Sequence, residues 1–244
     1  MNRKSKVARR RLGKAVRELR KREDLSQMEL TYVLDLGSIA RVSYWESGRC
    51  FPRSIIVLKK LEFLFSGFGD VVREVVDSHG VKPNKKEWMN FIGTVSTKWS
   101  VDSAPQNRNK FYNHVDARDA VYRKAFGRYL REARTSRSIT AASLGRAFGC
   151  VHTTWSQWEA GINFPSDILV LGLINRLFGD TFDVVFSVCD KARIRLQKKE
   201  KQSVLRRLKN IQETRGNRSK EYRDYFSSFY ATQAVWRNKM RCSS

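Results

Sequence analysis

Polar side chains that could take part in recognition chemistry stand in and beside two similar strings. The strings are VSYWESGRCFP, Val42 to Pro52, and WSQWEAGINFP, Trp155 to Pro165. In and before the second string stand His152, Thr153, Thr154 and Gln157. At the corresponding places of the first string stand Arg41 and Tyr44. Amide, hydroxyl, imidazole and guanidinium groups donate and accept hydrogen bonds, so these positions are candidates for binding a polar partner.

Little in the chain predicts catalysis. The sequence has no paired-carboxylate metal motif, no Gly-rich phosphate loop and no nucleophile with a placed base, so we expect no enzyme and no cofactor. The three histidines are scattered, and no CxxC pair occurs among Cys50, Cys150, Cys189 and Cys242. This indicates reduced cytoplasmic thiols and no metal site. Because no apolar run approaches the roughly 20 residues that span a bilayer, no membrane partner is expected.

The net charge of +24 is concentrated at the two ends of the chain. Residues 1–24 hold 11 basic and 3 acidic side chains, and residues 191–244 hold 16 and 4. The other 166 residues carry a net charge of only +4. A near-neutral body with basic ends favours a polyanionic partner, above all nucleic acid. An anionic membrane, an acidic protein, or charge that serves solubility alone are the alternatives.

The two strings belong to a longer internal repeat. Gly13, Arg17, Glu18, Arg20 and Leu30 each recur 114 positions later, and from Ser43 onward the offset is 113. Identities continue beyond the strings, for example Asp70 with Asp183, so the second offset holds over some 35 residues. The chain therefore contains two copies of one unit of roughly 65 residues. The first copy has one extra residue between Leu34 and Ser43.

The hydrophobic periodicity predicts helices throughout both copies. Opening helices are expected in LGKAVRELRKRE and FGRYLREARTSR, and further helices follow Pro52 and Pro165. The segments DVVREVVDS and DVVFSVCDK fit a last helix or a short strand, and we favour the helix. Around each string the pattern is helix, turn, helix. We expect an all-α protein.

Each copy resembles the lambda-repressor/Cro-like helix-turn-helix domains. The resemblance rests on five features in a fixed order. These are an arginine late in helix 1, a serine or threonine at the start of helix 2, a glycine in the turn, an apolar-Glu-x-Gly stretch and a proline. In the first copy these are Arg20, Ser26-Gln27, Gly37, Trp45-Glu46-Ser47-Gly48 and Pro52. In the second they are Arg134, Thr140, Gly149, Trp158-Glu159-Ala160-Gly161 and Pro165, with Ala141 replacing the helix-2 glutamine. The resemblance covers roughly residues 12–76 and 126–189.

The resemblance implies a role for each part of the strings. It implies structural ion pairs between Arg20 and Glu46 and between Arg134 and Glu159, packing roles for Trp45 and Trp158, and positive φ at the glycines. Base reading would come from His152, Thr153, Thr154 and Gln157 in the second copy and from Arg41 and Tyr44 in the first. DNA phosphates would be contacted by Gln27, Arg49, Arg53, Thr140 and Asn163. Because Ile39 and Ala40 open the first reading helix, the second copy is expected to be the better reader.

Two further segments complete the predicted organisation. Residues 79–122 form a linker in which Trp88, Ile92, Val95 and Trp99 stand at helical spacing. Residues 191–244 form a basic, aromatic extension whose first part is a helix candidate for lying on phosphates. Its stripe of Tyr222, Tyr225, Phe226, Phe229 and Trp236 fits docking onto the chain's own body or a homodimer contact, and base stacking is the alternative. The helix-turn-helix domains would occupy residues 1–78 and 123–190.

The predicted function is sequence-specific binding of double-stranded DNA to regulate transcription, with the two copies acting as a pseudo-dimer. The expected location is the cytoplasm, on the nucleoid. The alternative is an architectural, nucleoid-type DNA-binding protein with weak sequence specificity, which the poor first reading helix and the basic ends favour somewhat. An RNA partner is disfavoured because a reading helix suits the B-DNA major groove.

Overall fold

A computed structural model describes residues 3–79, 117–148, 150, 152–188, 193–213 and 224–225. This part of the chain is mostly helical and contains no strand, which confirms the predicted all-α class. The helices of the first copy are α1 (Arg3–Arg22), α2 (Gln27–Leu34), α3 (Ile39–Glu46), α4 (Ile55–Leu64) and α5 (Phe68–His79). The remaining helices are α6 (Ala117–Thr135), α7 (Ala141–Ala147), α8 (His152–Glu159), α9 (Ile168–Phe178), α10 (Thr181–Phe186) and α11 (Lys198–Glu213).

Side-chain caps explain where several helices begin. Ser26 precedes α2 in a capping box, in which its hydroxyl accepts from the Glu29 amide while the Glu29 carboxylate accepts from the Ser26 amide. Ser54 caps α4 and Asp167 caps α9 by accepting from backbone amides of the first turn. Such caps satisfy amide groups that have no partner within the helix, and each contributes about 1 kcal/mol.

The helices form two compact units that interleave along the chain. Unit 1 comprises residues 1–9 and 51–196, and unit 2 comprises residues 10–50 and 197–244. The sequence pattern predicts domains that follow one another, whereas here α4 and α5 of the first copy belong to the same unit as the whole second copy. Helices α4 and α5 contact helices of the second copy, and Ile55, Leu58 and Val72 on them are inaccessible to solvent.

Within unit 1, the last two helices of each copy pack on those of the other. Helix α5 contacts α9, and the corresponding helix α10 contacts α4. Gly69 lies directly against Phe186, and the Arg73 guanidinium lies 5.5 Å from the ring centroid of Phe182. Since residues 69 and 73 correspond to 182 and 186 in the repeat, these two contacts are reciprocal. Reciprocal contacts are the mark of a two-fold interface.

Two of the ionisable side chains buried in unit 1, Lys59 and Asp119, bind the backbone or side chains of other elements. The Lys59 side chain is fully buried, and its Nζ donates to the carbonyl oxygens of Val184 at 2.9 Å and Ser187 at 2.7 Å. Burial lowers the pKa of Lys59 to about 7, although the carboxylate of Glu62 acts in the opposite direction. Asp119 accepts from the Ser54 hydroxyl and the Ile56 amide at the start of α4. Burial raises the pKa of Asp119 despite these hydrogen bonds.

Unit 2 joins α1 from residue 10 onward, α2 and α3 with helix α11. Helix α11 packs on α2 and buries Val204 and Ile211. The sequence predicted a basic helix in this segment, and the structure confirms it from Lys198 onward. Its packing on α2 was not predicted. Only one face of α11 is exposed, including Lys198, Lys199 and Lys209.

Most of the remaining helix predictions are confirmed. The opening helices are α1 and α6, and the helices predicted after the two prolines are α4 and α9. The last segment of the first copy is helical through His79, whereas that of the second copy ends its helix at Phe186. The linker stripe from Trp88 to Trp99 lies outside the described residues, as do Tyr222, Phe226, Phe229 and Trp236. No helix in the described part of the chain is long and apolar enough to cross a membrane.

Candidate nucleic-acid interface

Each copy fixes the end of its third helix with the same arginine–glutamate fork. In unit 2, Arg20 donates from Nε to Glu46 Oε1 at 2.6 Å and from Nη2 to Glu46 Oε2 at 3.1 Å. In unit 1, Arg134 donates to the two oxygens of Glu159 at 2.5 and 3.0 Å. The remaining Nη1 groups donate to the backbone oxygens of Leu25 and Ile139, which also correspond in the repeat. Such two-pronged bonds fix side-chain geometry tightly.

The two forks differ in their third donor. Gln27 Nε2 donates to Glu46 at 2.8 Å, but the second copy has Ala141 at that position. There the indole Nε1 of Trp155, which is buried where the first copy has Val42, donates to Glu159 at 2.6 Å. The Glu159 carboxylate thus accepts a hydrogen bond from a third side chain, as Glu46 does, but the donor is a tryptophan instead of a glutamine. Burial raises the pKa of Glu159, but the bonds from Arg134 and Trp155 outweigh it and hold the pKa below its usual value.

Matched glycines let the first helix of each copy approach the end of the third. A Cβ on Gly13 would overlap the carbonyl oxygens of Trp45 and Glu46, and one on Gly127 would overlap those of Trp158 and Glu159. Past the helix ends, Gly48 and Gly161 both adopt a φ of 69°, as predicted. These two glycines lie against the backbone of Arg10 and Lys124. Trp45 and Trp158 are both buried, as expected for packing residues.

Helix α8 presents a polar outer face. Thr153, Ser156 and Gln157 are exposed, Thr154 is half-buried, and His152 is the first residue of the helix. Residues 153 and 157 lie one turn apart on the same face. Asn163 Nδ2 donates to Gln157 Oε1 at 2.8 Å, which leaves the Gln157 amide nitrogen directed away from Asn163. The structure thus brings together one residue predicted to read bases and one predicted to contact phosphate.

Helix α3 presents a different outer face. Arg41 and Tyr44 are exposed, whereas Ile39 and Ala40 are half-buried. The guanidinium of Arg49 lies 5.3 Å from the Tyr44 ring centroid, a cation–π contact at the exposed end of the helix. The outward groups of α3 are therefore an arginine and an aromatic ring stacked on a second arginine.

The residues predicted to contact phosphate lie in varied settings. Gln27 directs its amide nitrogen inward to Glu46. Thr140 accepts from the Ser143 amide at 3.1 Å and so caps the start of α7. Arg53 is exposed just before α4 and belongs to unit 1, whereas Arg49 belongs to unit 2. No metal-binding group of acidic, histidine or cysteine side chains occurs among the described residues.

A duplicated basic stripe is a further surface feature, which the sequence pattern was not used to predict. Exposed basic side chains recur at three equivalent positions of α1 and α6, namely Arg10 with Lys124, Lys14 with Arg128, and Arg17 with Arg131. The offset of 114 that relates Gly13 to Gly127 could have found them, because it also relates these pairs. In each copy the stripe begins where the first helix meets the glycine that follows the third helix.

The chain matches no protein-family model, no curated protein and no solved structure in the three comparisons made.

Proposed function

We propose that the protein is a transcriptional regulator that binds double-stranded DNA in a sequence-specific manner through two lambda-repressor-like helix-turn-helix domains. Helices α3 and α8 are the reading helices, and α8 is the better reader. The protein acts on the nucleoid, in the cytoplasm. The proposal includes no catalytic step, because the exposed groups of both helices bind by hydrogen bonding and charge.

The observation that carries this proposal is that both copies hold their partly exposed third helix by the same set of contacts. In both copies an arginine–glutamate fork, a backbone bond from the same arginine and a close-approach glycine hold the third helix. An α-helix fits the major groove, where side chains on its outer face meet base edges. Gln157 suits adenine, Arg41 suits guanine, and the methyl group of Thr153 suits thymine.

The basic stripes supply the sequence-independent part of binding. Six exposed basic side chains, three on α1 and three on α6, stand on the helices that buttress the reading helices. Phosphate contacts from such groups position a protein on the duplex without reading its sequence. Because the repeat preserves their charge as well as the fork, we assign the same phosphate-binding role to both stripes.

Reciprocal packing in unit 1 supports the pseudo-dimer. The contacts of Gly69 with Phe186 and of Arg73 with Phe182 join equivalent elements of the two copies, as a two-fold dimer interface does. A single chain would then provide the two reading helices that a dimeric regulator takes from two subunits. Since α3 and α8 have diverged, the preferred site would be an imperfect palindrome.

Selection from random duplexes, followed by competition, tests the proposed function. The full chain should enrich one asymmetric site, and that site should outcompete random duplex by about a thousandfold or more.

The triple variant Arg10→Ala/Lys14→Ala/Arg17→Ala should flatten the logarithmic dependence of affinity on salt by about 0.9 for each phosphate that is no longer neutralised. Lys198→Ala/Lys199→Ala/Lys209→Ala removes the same charge from α11, which the sequence also predicts to lie on phosphates, and so measures the share of that helix. An unchanged slope in the Arg10/Lys14/Arg17 variant would remove the stripe of α1 from the phosphate contacts.

The second candidate is an architectural DNA-binding protein. The half-buried Ile39 and Ala40 at the start of α3 favour it, because they give that helix few groups to distinguish bases. Such a protein would bind many duplexes with similar affinity and strong salt dependence. The same competition assay separates the two candidates, since only the regulator discriminates against random duplex.

A further inference from the structure

The turn between α2 and α3 is where the first copy carries its extra residue. Helix α2 ends at Leu34, and Asp35 follows in the left-handed conformation, with φ 60° and ψ 50°. Gly37 also has a positive φ, of 65°. Asp35 and Leu36 donate backbone bonds to the oxygens of Tyr32 and Thr31. Two left-handed residues within three positions make an irregular turn just before a proposed reading helix.

Arg207 of α11 binds this turn at its start. Its Nη1 donates to the backbone oxygen of Tyr32 at 2.6 Å and to Asp35 Oδ1 at 3.0 Å. Its guanidinium also lies 5.0 Å from the Tyr32 ring centroid. The last carbonyl groups of a helix lack partners within the helix and carry partial negative charge, so a guanidinium there is favourable.

Tyr225 binds the turn at its far side. The Tyr225 hydroxyl accepts from the Gly37 amide at 2.8 Å, and its ring meets the Tyr32 ring edge-on with centroids 5.4 Å apart. Arg207 lies 5.3 Å from the same Tyr225 ring. Burial raises the pKa of Tyr225, so at neutral pH the phenol is intact. Two C-terminal side chains thus hold both ends of the three-residue turn.

This arrangement belongs to the first copy. In the repeat, the second copy has Arg146 where the first has Tyr32, and it lacks the extra residue. The first copy therefore combines a longer turn, an aromatic residue at the end of α2 and a C-terminal helix that packs on α2. Together these features indicate that the C-terminal segment stabilises the Asp35–Gly37 turn, in addition to contributing positive charge.

We propose that Arg207 and Tyr225 are positioning residues for the first reading helix, because they hold the Asp35–Gly37 turn and thereby orient Arg41 and Tyr44 toward DNA. This inference rests on the proposed function. It assigns the C-terminal segment a part in sequence preference, whereas a loosely tethered basic arm would add only charge. Removing Arg207 should therefore alter which bases are preferred as well as how tightly DNA is bound.

The test maps base preference with the full chain. Arg41→Ala identifies the base positions that depend on α3, and Gln157→Ala identifies those that depend on α8. Arg207→Ala should relax preference at the α3-dependent positions by about tenfold and leave the α8-dependent ones unchanged. Lys209→Ala removes the same charge from the exposed face of α11 and should relax neither set. Equal behaviour of these two variants would overturn the proposal.

Tyr225→Phe covers the case in which Arg207→Ala fails to fold, because it removes a single hydroxyl. Amide hydrogen exchange at Gly37 should speed up in this variant, and preference should relax at the α3-dependent positions only. An unchanged exchange rate would overturn the inference without touching the proposed function. If the unaltered chain enriches no site, the proposed function fails, and the positioning role in DNA binding fails with it. The exchange rate at Gly37 still shows, independently, whether Tyr225 holds the turn.

Discussion

Arg134 and Glu159 form a two-pronged ion pair in which the glutamate side chain is 5% exposed and the arginine side chain 16% exposed. The same carboxylate accepts from Trp155 and lies 3.5 Å from Arg131 Nε. Removing one partner of a buried pair leaves an uncompensated charge, which costs far more than an exposed pair contributes.

Glu159→Ala should therefore lower the free energy of unfolding by about 3–5 kcal/mol, as measured by urea denaturation. Glu132→Ala is a matched control in the same unit, since Glu132 pairs with Arg193 at 3.6 Å and both side chains are more than half exposed. The control should cost about 0–1 kcal/mol. Similar costs for the two variants would show that the fork is not a buried structural pair.

Gly13→Ala and Gly127→Ala should each destabilise the protein. Within a helix, alanine is ordinarily favoured over glycine by about 1 kcal/mol. Here the added Cβ would overlap two carbonyl oxygens of the third helix, so the sign of the effect reverses. Thermal unfolding should show a lower midpoint for both variants. A raised midpoint for either would mean that the close approach of the two helices is absent in that copy.

Gln157→Ala should weaken binding to the selected duplex by about 1–3 kcal/mol and relax preference at one base position. The physical reason is the loss of an amide that Asn163 orients through its own hydrogen bond. Gln202→Ala, at an exposed glutamine of α11, is the matched control and should leave preference unchanged. Undiminished discrimination in the Gln157 variant would remove this residue from the reading set.

Stability should rise as the pH increases from about 7 to 9, in part because of Lys59. The folded-state pKa of Lys59 is lowered to about 7 by burial, against 10.5 for the ordinary side chain. Between these values the unfolded chain binds a proton that the folded chain does not, so the contribution to stability grows by up to about 1.4 kcal/mol per pH unit. Below pH 7 this increase is absent.

Urea midpoints measured at several pH values check this prediction. Lys59→Met should flatten the slope between pH 7 and 9, whereas Lys209→Met, at a side chain 74% exposed, should leave it as it is. A wild-type slope that persists in the Lys59 variant would show that other groups cause it.

The sequence predicted the helices well because the signals that mark them are local. The hydrophobic periodicity, the prolines before α4 and α9, and the glycines after α3 and α8 act over only a few residues. The resemblance to helix-turn-helix domains added long-range information, since it implied a partner for Arg20 and Arg134. In both copies that partner is the glutamate at the end of the third helix.

The sequence could not predict the contacts that occur in only one of the two copies. Trp155 replaces the missing Gln27 equivalent from a different helix, so no positional match indicates it. Lys59 stands where the second copy has Gly172, and its partners lie 125 and 128 positions away. Arg207 lies outside the repeat altogether, and its basic neighbours suggested phosphate binding rather than packing on α2. Such contacts depend on tertiary geometry that a single sequence does not contain.

The interleaving of the units also sets an order of events during translation. Residues 10–50 are synthesised before residues 51–196, yet α11, which completes their unit, is made only after the last residue of unit 1. Because domains begin folding as they emerge, helices α1 to α3 must wait through some 150 residues of synthesis for Arg207 to reach the Asp35–Gly37 turn. Residues 10–50 therefore reach their final packing only after α11 is made, and a nascent chain that stalls before residue 198 lacks the helix that completes unit 2.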